Sequence, residues 1–162
     1  MEFLQQFGGL ALAFLGGGLA VGCCCAGSGK GCGYVGEAAS GLLTEAPENF
    51  AKCLILQVIP GSQGLYGLVI WFFAMLQIGV FGGSGVMDLS IAQGANVFLA
   101  CLPMAIGGGI SAAAQGKVAA SSINLIAKNP GHWTKGIILC VTVEFYALLS
   151  LLASIMMLLN AV

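Results

Sequence analysis

The chain has 162 residues, of which 59% are apolar and 7% charged, with a formal net charge of −1. Soluble domains carry roughly 25% charged residues, so this composition excludes a water-facing globular surface. It leaves an integral membrane protein, and no nucleic-acid partner is expected.

Four stretches, residues 3–29, 53–86, 89–116 and 136–159, contain no Asp, Lys or Arg, and Glu144 is their one Glu. Each exceeds the ~20 residues that cross about 30 Å of hydrocarbon. The expected fold is all-α, with four transmembrane helices. The first stretch lacks a basic leader, since Glu2 is the one charge before Lys30. It is therefore expected to stay as helix 1 rather than act as a signal peptide.

Helix 1 reads GGGLAVGCCCAGSGKGCGYVG and helix 3 reads GGGISAAAQGKVAA. Small residues at such density let helix backbones approach closely in a membrane, as Gly18 and Gly22 would in a GxxxG contact. Helices 2 and 4 are bulkier, with Trp71, Phe72, Phe73, Phe145 and Tyr146. Small helices inside and large ones outside suit a curved wall or ring. The segment GCCCAGSGKG is close to a phosphate-binding loop but fails its pattern. Cys24 stands where the first Gly is needed, and Gly31 follows Lys30 in place of Ser or Thr. The seven Cys form no pair of CxxC motifs, and His132 stands alone, so no zinc site is expected.

All five basic residues are Lys. Lys30 and Lys52 lie around the helix 1–2 connection, and Lys117, Lys128 and Lys135 around the helix 3–4 connection; Lys117, two residues from Gln115, is deep for a lysine and can snorkel, as can Lys30. The other side carries Glu2, Asp88 and the carboxyl of Val162. Lysine bias places the cytoplasmic side. Both hairpin loops are thus expected in the cytoplasm and both termini outside.

The chain looks duplicated, with hairpins at residues 1–79 and 88–162. EAPENFAKCLIL parallels AKNPGHWTKGIIL, which sets Pro47 against Pro130 and Gly61 against Glu144, an offset of 83. SGKGCG and QGKVAA pair at an offset of 87, which implies an extra turn in the first half. Only the second copy holds the carboxylate.

Glu144 lies nine residues beyond Lys135, or about 14 Å along a helix, near mid-bilayer. Gln115 lies 15 residues before Pro130 and Glu144 14 after it, so the two reach similar depth. Ser62 and Gln63 fall in the same layer by the repeat, with Tyr66 one turn from Ser62. A charge at mid-helix costs about 2.5–3.5 kcal/mol on insertion scales and marks a functional residue by default. Burial disfavours the ionised form, so a proton or a cation must neutralise it. The hydroxyl and amide oxygens around it suit a hard cation, Na⁺ before H⁺ alone. Pro60 removes a helix hydrogen bond and can turn carbonyls toward an ion.

LILQVIPGSQGLYG at 54–67, AAAQGKVAA at 112–120 and GIILCVTVEFYALL at 136–149 resemble the proteolipid ring subunit of V-type rotary ATPases. The similarity is greatest to bacterial Na⁺-pumping members and spans nearly the whole chain. It implies a homo-oligomeric ring in the bacterial plasma membrane, with helices 1 and 3 inside and helices 2 and 4 outside. It implies ion ligands at Glu144, Gln115, Gln63, Ser62 and the Ile59 carbonyl, with Tyr66 closing the site beside Pro60. It implies partners as well: a stator subunit supplying an Arg, a central-stalk subunit on the cytoplasmic side, and lipid. By the same resemblance the chain is not itself an enzyme, since ATP is hydrolysed in other subunits. The alternatives are the same ring coupled to H⁺, a small four-helix proton-coupled exporter, and a purely structural pore.

Overall fold

In a computed structural model the described residues are 2–81 and 85–162, with side chains from Phe7 onward. Met1 at the start of the first hairpin, the side chain of Glu2, and residues 82–84 lie outside them. Among the described residues the fold is helical, with no strand. Helix α1 is Glu2–Glu45. The second span is segmented into α2, Phe50–Val58, a 3₁₀ turn, Ile59–Gly61, and α3, Ser62–Gln77. Helix α4 is Ile91–Lys128 and α5 is Trp133–Leu158. By length and composition four spans can cross a membrane: Phe7–Glu45, Pro47–Gln77, Ile91–Lys128 and Pro130–Leu158.

The two hairpin bends are built alike. One non-helical residue, Ala46 (φ −138°, ψ 68°) or Asn129 (φ −144°, ψ 82°), precedes a proline that opens a 3₁₀ turn, Pro47–Asn49 or Pro130–His132. Proline drives its predecessor out of the helical region and sets the φ of the next turn. The loop between spans two and three ends differently. Ser90 caps α4 through a box in which its hydroxyl accepts the Gln93 N–H at 3.2 Å. Gln93 Oε1 in turn accepts the Ser90 N–H at 3.0 Å.

Helices α1 and α4 lie side by side and parallel, pressed together at Gly9 and Gly94, Gly27 and Gly109, and Gly31 and Gly116. Hydrocarbon gives helices no hydrophobic reason to associate, so close backbone contact must supply dispersion energy instead. A Cβ at Gly31 would stand 2.6 Å from the Ala112 carbonyl oxygen and 2.9 Å from Pro60 Cβ. Neither atom sits on a flexible chain end. Gly31→Ala is expected to destabilise the fold by about 1–3 kcal/mol, measured as a lower midpoint in detergent-denaturant unfolding; an unchanged midpoint would contradict the contact.

Around Pro103 in the middle of α4, two neighbouring helices serve the backbone. The Met104 N–H donates to the buried Ser154 hydroxyl at 3.0 Å, and the Cys24 thiol donates to the Met104 carbonyl at 3.2 Å. Polar backbone at membrane depth is tolerated when protein groups satisfy it in this way. Helices α3 and α5 turn many large apolar side chains outward, among them Leu65, Phe72, Phe145, Leu149 and Leu152.

One sequence expectation needs correction. The charge-free runs understate the helices, because Lys30 and Glu37 lie within α1 and Lys117 lies within α4. Lys30 and Lys117 therefore belong to the spans and not to the bends; their exposed side chains, with Tyr34, line one groove between α1 and α4. Long amphipathic stems let lysine occupy such positions. Helix α1 ends at Glu45 and α4 at Lys128, the same offset of 83 that relates Pro47 to Pro130.

Candidate ion site

Proline 60 prepares the site. The helix tightens to 3₁₀ geometry over Ile59–Gly61, where the Ile59 carbonyl accepts the Ser62 N–H. Ser62 then opens α3, and its hydroxyl lies 3.0 Å from the Ile59 carbonyl and 2.7 Å from Glu144 Oε1. A hydroxyl has one proton, so Ser62 donates to one of these acceptors at a time. Ser28 of α1 accepts the Gly64 N–H at 2.9 Å and anchors the start of α3 from behind.

Gln63 and Gln115 are both fully buried. Gln63 Nε2 donates to Gln115 Oε1 at 2.7 Å and to Glu144 Oε2 at 3.0 Å. Gln115 Nε2 donates to Glu144 Oε2 at 2.7 Å and to the Cys140 carbonyl, one turn before Glu144, at 2.9 Å. Every amide N–H in the pair is thereby used. One oxygen is not: Gln63 Oε1 is buried without a hydrogen-bond partner. A buried acceptor left without a donor costs about 1–3 kcal/mol, and a cation would remove that cost.

Glu144 lies near the middle of the 26-residue α5 and is half-buried. Two other spans thus converge on its carboxylate from within one chain. Of the residues singled out in the sequence, Ser62, Gln63, Gln115 and Glu144 form a continuous hydrogen-bonded group. The Ile59 carbonyl joins it through Ser62. Tyr66 stands beside Glu144 and Ser62 and interacts with both side chains. Pro60 is buried next to Gly31. Sequence reasoning missed Ser28 and the Cys140 carbonyl. Ser28 stood in a glycine-rich run that drew attention to phosphate, and a carbonyl carries no signal in the side-chain alphabet.

Among the described residues no group of three or more His, Cys, Asp or Glu could hold a metal ion. The donor set at Glu144 is one acid with neutral amide and hydroxyl oxygens, hard donors of low total charge.

Fold and site together define a multi-pass membrane protein of two helical hairpins with one carboxylate held by amides at mid-span. The profile of the ATP synthase C-subunit family matches twice, over residues 15–74 and 98–157, again 83 residues apart. The chain belongs to that family. It is 46% identical over 162 residues to the V-type sodium ATPase subunit K of Enterococcus hirae, covering 99% of both chains. It is 32% identical over 149 residues to the A-type ATP synthase subunit K of Methanocaldococcus jannaschii, covering 92% of this chain and 62% of that one.

Proposed function

We propose that this chain is the ion-carrying subunit of a V-type ATPase rotor ring and that its cargo is Na⁺. The observation that carries the reading is the convergence of Gln63, Gln115 and Ser62 on Glu144, with the Gln63 oxygen left over. A proton needs only the acid. Two fully buried amides around it make sense for an ion that needs several oxygens. The relative with 46% identity is named as a sodium ATPase subunit, in agreement. Family membership sets aside the exporter and the pore.

The ligands would be Glu144, Gln115, Gln63, Ser62 and the Ile59 carbonyl. In the hydrogen-bonded arrangement described above, amide N–H groups and a hydroxyl satisfy the carboxylate. A half-turn of the Gln63 amide would bring its orphan oxygen to the carboxylate side. The Ser62 hydroxyl can donate to the carboxylate and offer its lone pairs to a cation. Tyr66 would close the site toward lipid. The loaded site is neutral overall and can pass through hydrocarbon, whereas a bare carboxylate cannot do so cheaply. Release therefore needs a positive charge, and the chain contains no Arg. A stator subunit would supply it, and a central-stalk subunit would couple the ring to ATP hydrolysis elsewhere. The hairpins, residues 1–79 and 88–162, would be the duplicated units of the ring, with the bends cytoplasmic and the termini outside. Near the bends this orientation rests on Lys52, Lys128 and Lys135.

Carbodiimide modification of Glu144 tests the cargo. Added Na⁺ at fixed pH should slow labelling in the assembled complex. Because protons and Na⁺ compete for the same carboxylate, more Na⁺ should be needed as pH falls. Labelling indifferent to Na⁺ would leave a ring coupled to H⁺.

A further inference from the structure

The internal repeat predicts a contact that a single chain cannot make. Within the chain, the first hairpin meets the second through Ser62 against Glu144 and Gln63 against Gln115. Moved on by 83 residues, Ser62 becomes Phe145 and Gln63 becomes Tyr146. Moved back by the same amount, Glu144 becomes Gly61 and Gln115 becomes Cys32. The geometry of the pair survives the exchange, because a Cβ built on Gly61 would meet only Cys32 Sγ, at 3.9 Å. Gly61 therefore faces open space where Glu144 faces its partners.

The side chains that fit this space are bare. Phe145 is 60% exposed and Tyr146 67%. Gly61 opens on an apolar groove along the second span, lined by Leu54, Ile55, Val58, Ser62 and Leu65. Volumes complement across the two junctions. Inside the chain a large acid meets a small serine; at the open faces a glycine would meet a phenylalanine. Close packing of this kind is what holds helices together in lipid.

We propose that Phe145 and Tyr146 of one copy of this chain pack into the Gly61–Cys32 notch of the next copy, a junction shaped like the ion site but filled by aromatic rings. The proposal rests on the ring reading above. It also gives a reason for the junction to take no ion: of the four corresponding side chains only Tyr146 brings an oxygen.

The test uses the intact membrane complex with p-benzoylphenylalanine in place of Tyr146, which keeps an aromatic ring at the position. Irradiation should give dimers and higher oligomers on a denaturing gel, with adducts mapped to the peptides holding Cys32 or Gly61. The same probe at Leu152, which is 57% exposed, should not mark those peptides. An assembled ring whose Tyr146 adducts fall on lipid or on other peptides overturns the contact. A complex in which native mass spectrometry finds a lone wild-type chain overturns the ring reading itself. As a second measurement, Gly61→Leu should keep the helical content of the chain and lose more than half of the detergent-resistant oligomer. Wild-type oligomer yield with Gly61→Leu overturns the proposal whatever the probe variant does.

Discussion

Replacement of Glu144 by Gln is expected to abolish ATP-driven Na⁺ uptake while the ring still assembles. The substitution keeps the shape and one acceptor oxygen, so helix packing has little reason to change. It removes the charge, and it turns an amide N–H₂ toward amides that already donate to Oε2. Truncating one partner of a buried charge pair costs about 2–5 kcal/mol, roughly 30- to 4,000-fold in ion affinity. Tracer Na⁺ uptake into reconstituted vesicles measures this directly, with ring mass as the control for assembly. Uptake above a tenth of wild type would mean that the cation is carried elsewhere.

Gln115→Leu should have the second-largest effect, and a different signature. Gln115 holds Glu144, the Cys140 carbonyl and the Gln63 amide at once, at 2.7, 2.9 and 2.7 Å. The bond to the carboxylate is charge-assisted when Glu144 is ionised, worth about 1.5–3 kcal/mol. Leucine fills the space and supplies no oxygen. The Na⁺ concentration that half-protects Glu144 from carbodiimide should rise by roughly 10- to 100-fold. Labelling without Na⁺ should remain, because the acid itself is still present. Unchanged Na⁺ protection would remove Gln115 from the ligand set and weaken the case for a sodium site. Loss of labelling altogether would point to a collapsed site.

Much of the candidate site was legible because its parts are rare in their surroundings. A lone Glu in a 24-residue apolar run is costly whatever surrounds it. Counting from Pro130 placed Gln115 and Glu144 at one depth, and their 2.7 Å hydrogen bond agrees with that count. Depth follows from helical rise, a one-dimensional quantity. Azimuth does not. The sequence could not show that Gln115 also reaches the Cys140 carbonyl, nor that Ser28 takes the Gly64 N–H. Both depend on how far each helix is rotated against its neighbours. The repeat was legible at the prolines, where one residue type imposes one backbone geometry. At the GK pairs similar letters sit on different turns.

By itself the sequence determined that this is a membrane protein of four spans with bends at Pro47 and Pro130 and one intramembrane acid. Those features come from terms that act residue by residue: desolvation of charge, the fixed rise of a helix, and the missing N–H of proline. Only the tertiary structure decided which groups share the acid, which amide oxygen is left over, and which helices serve the backbone beside Pro103. It also decided that Lys30 and Lys117 share one groove between α1 and α4 with Tyr34. These depend on interhelical rotation and glycine-to-glycine approach, energies that exist only between segments far apart in the chain.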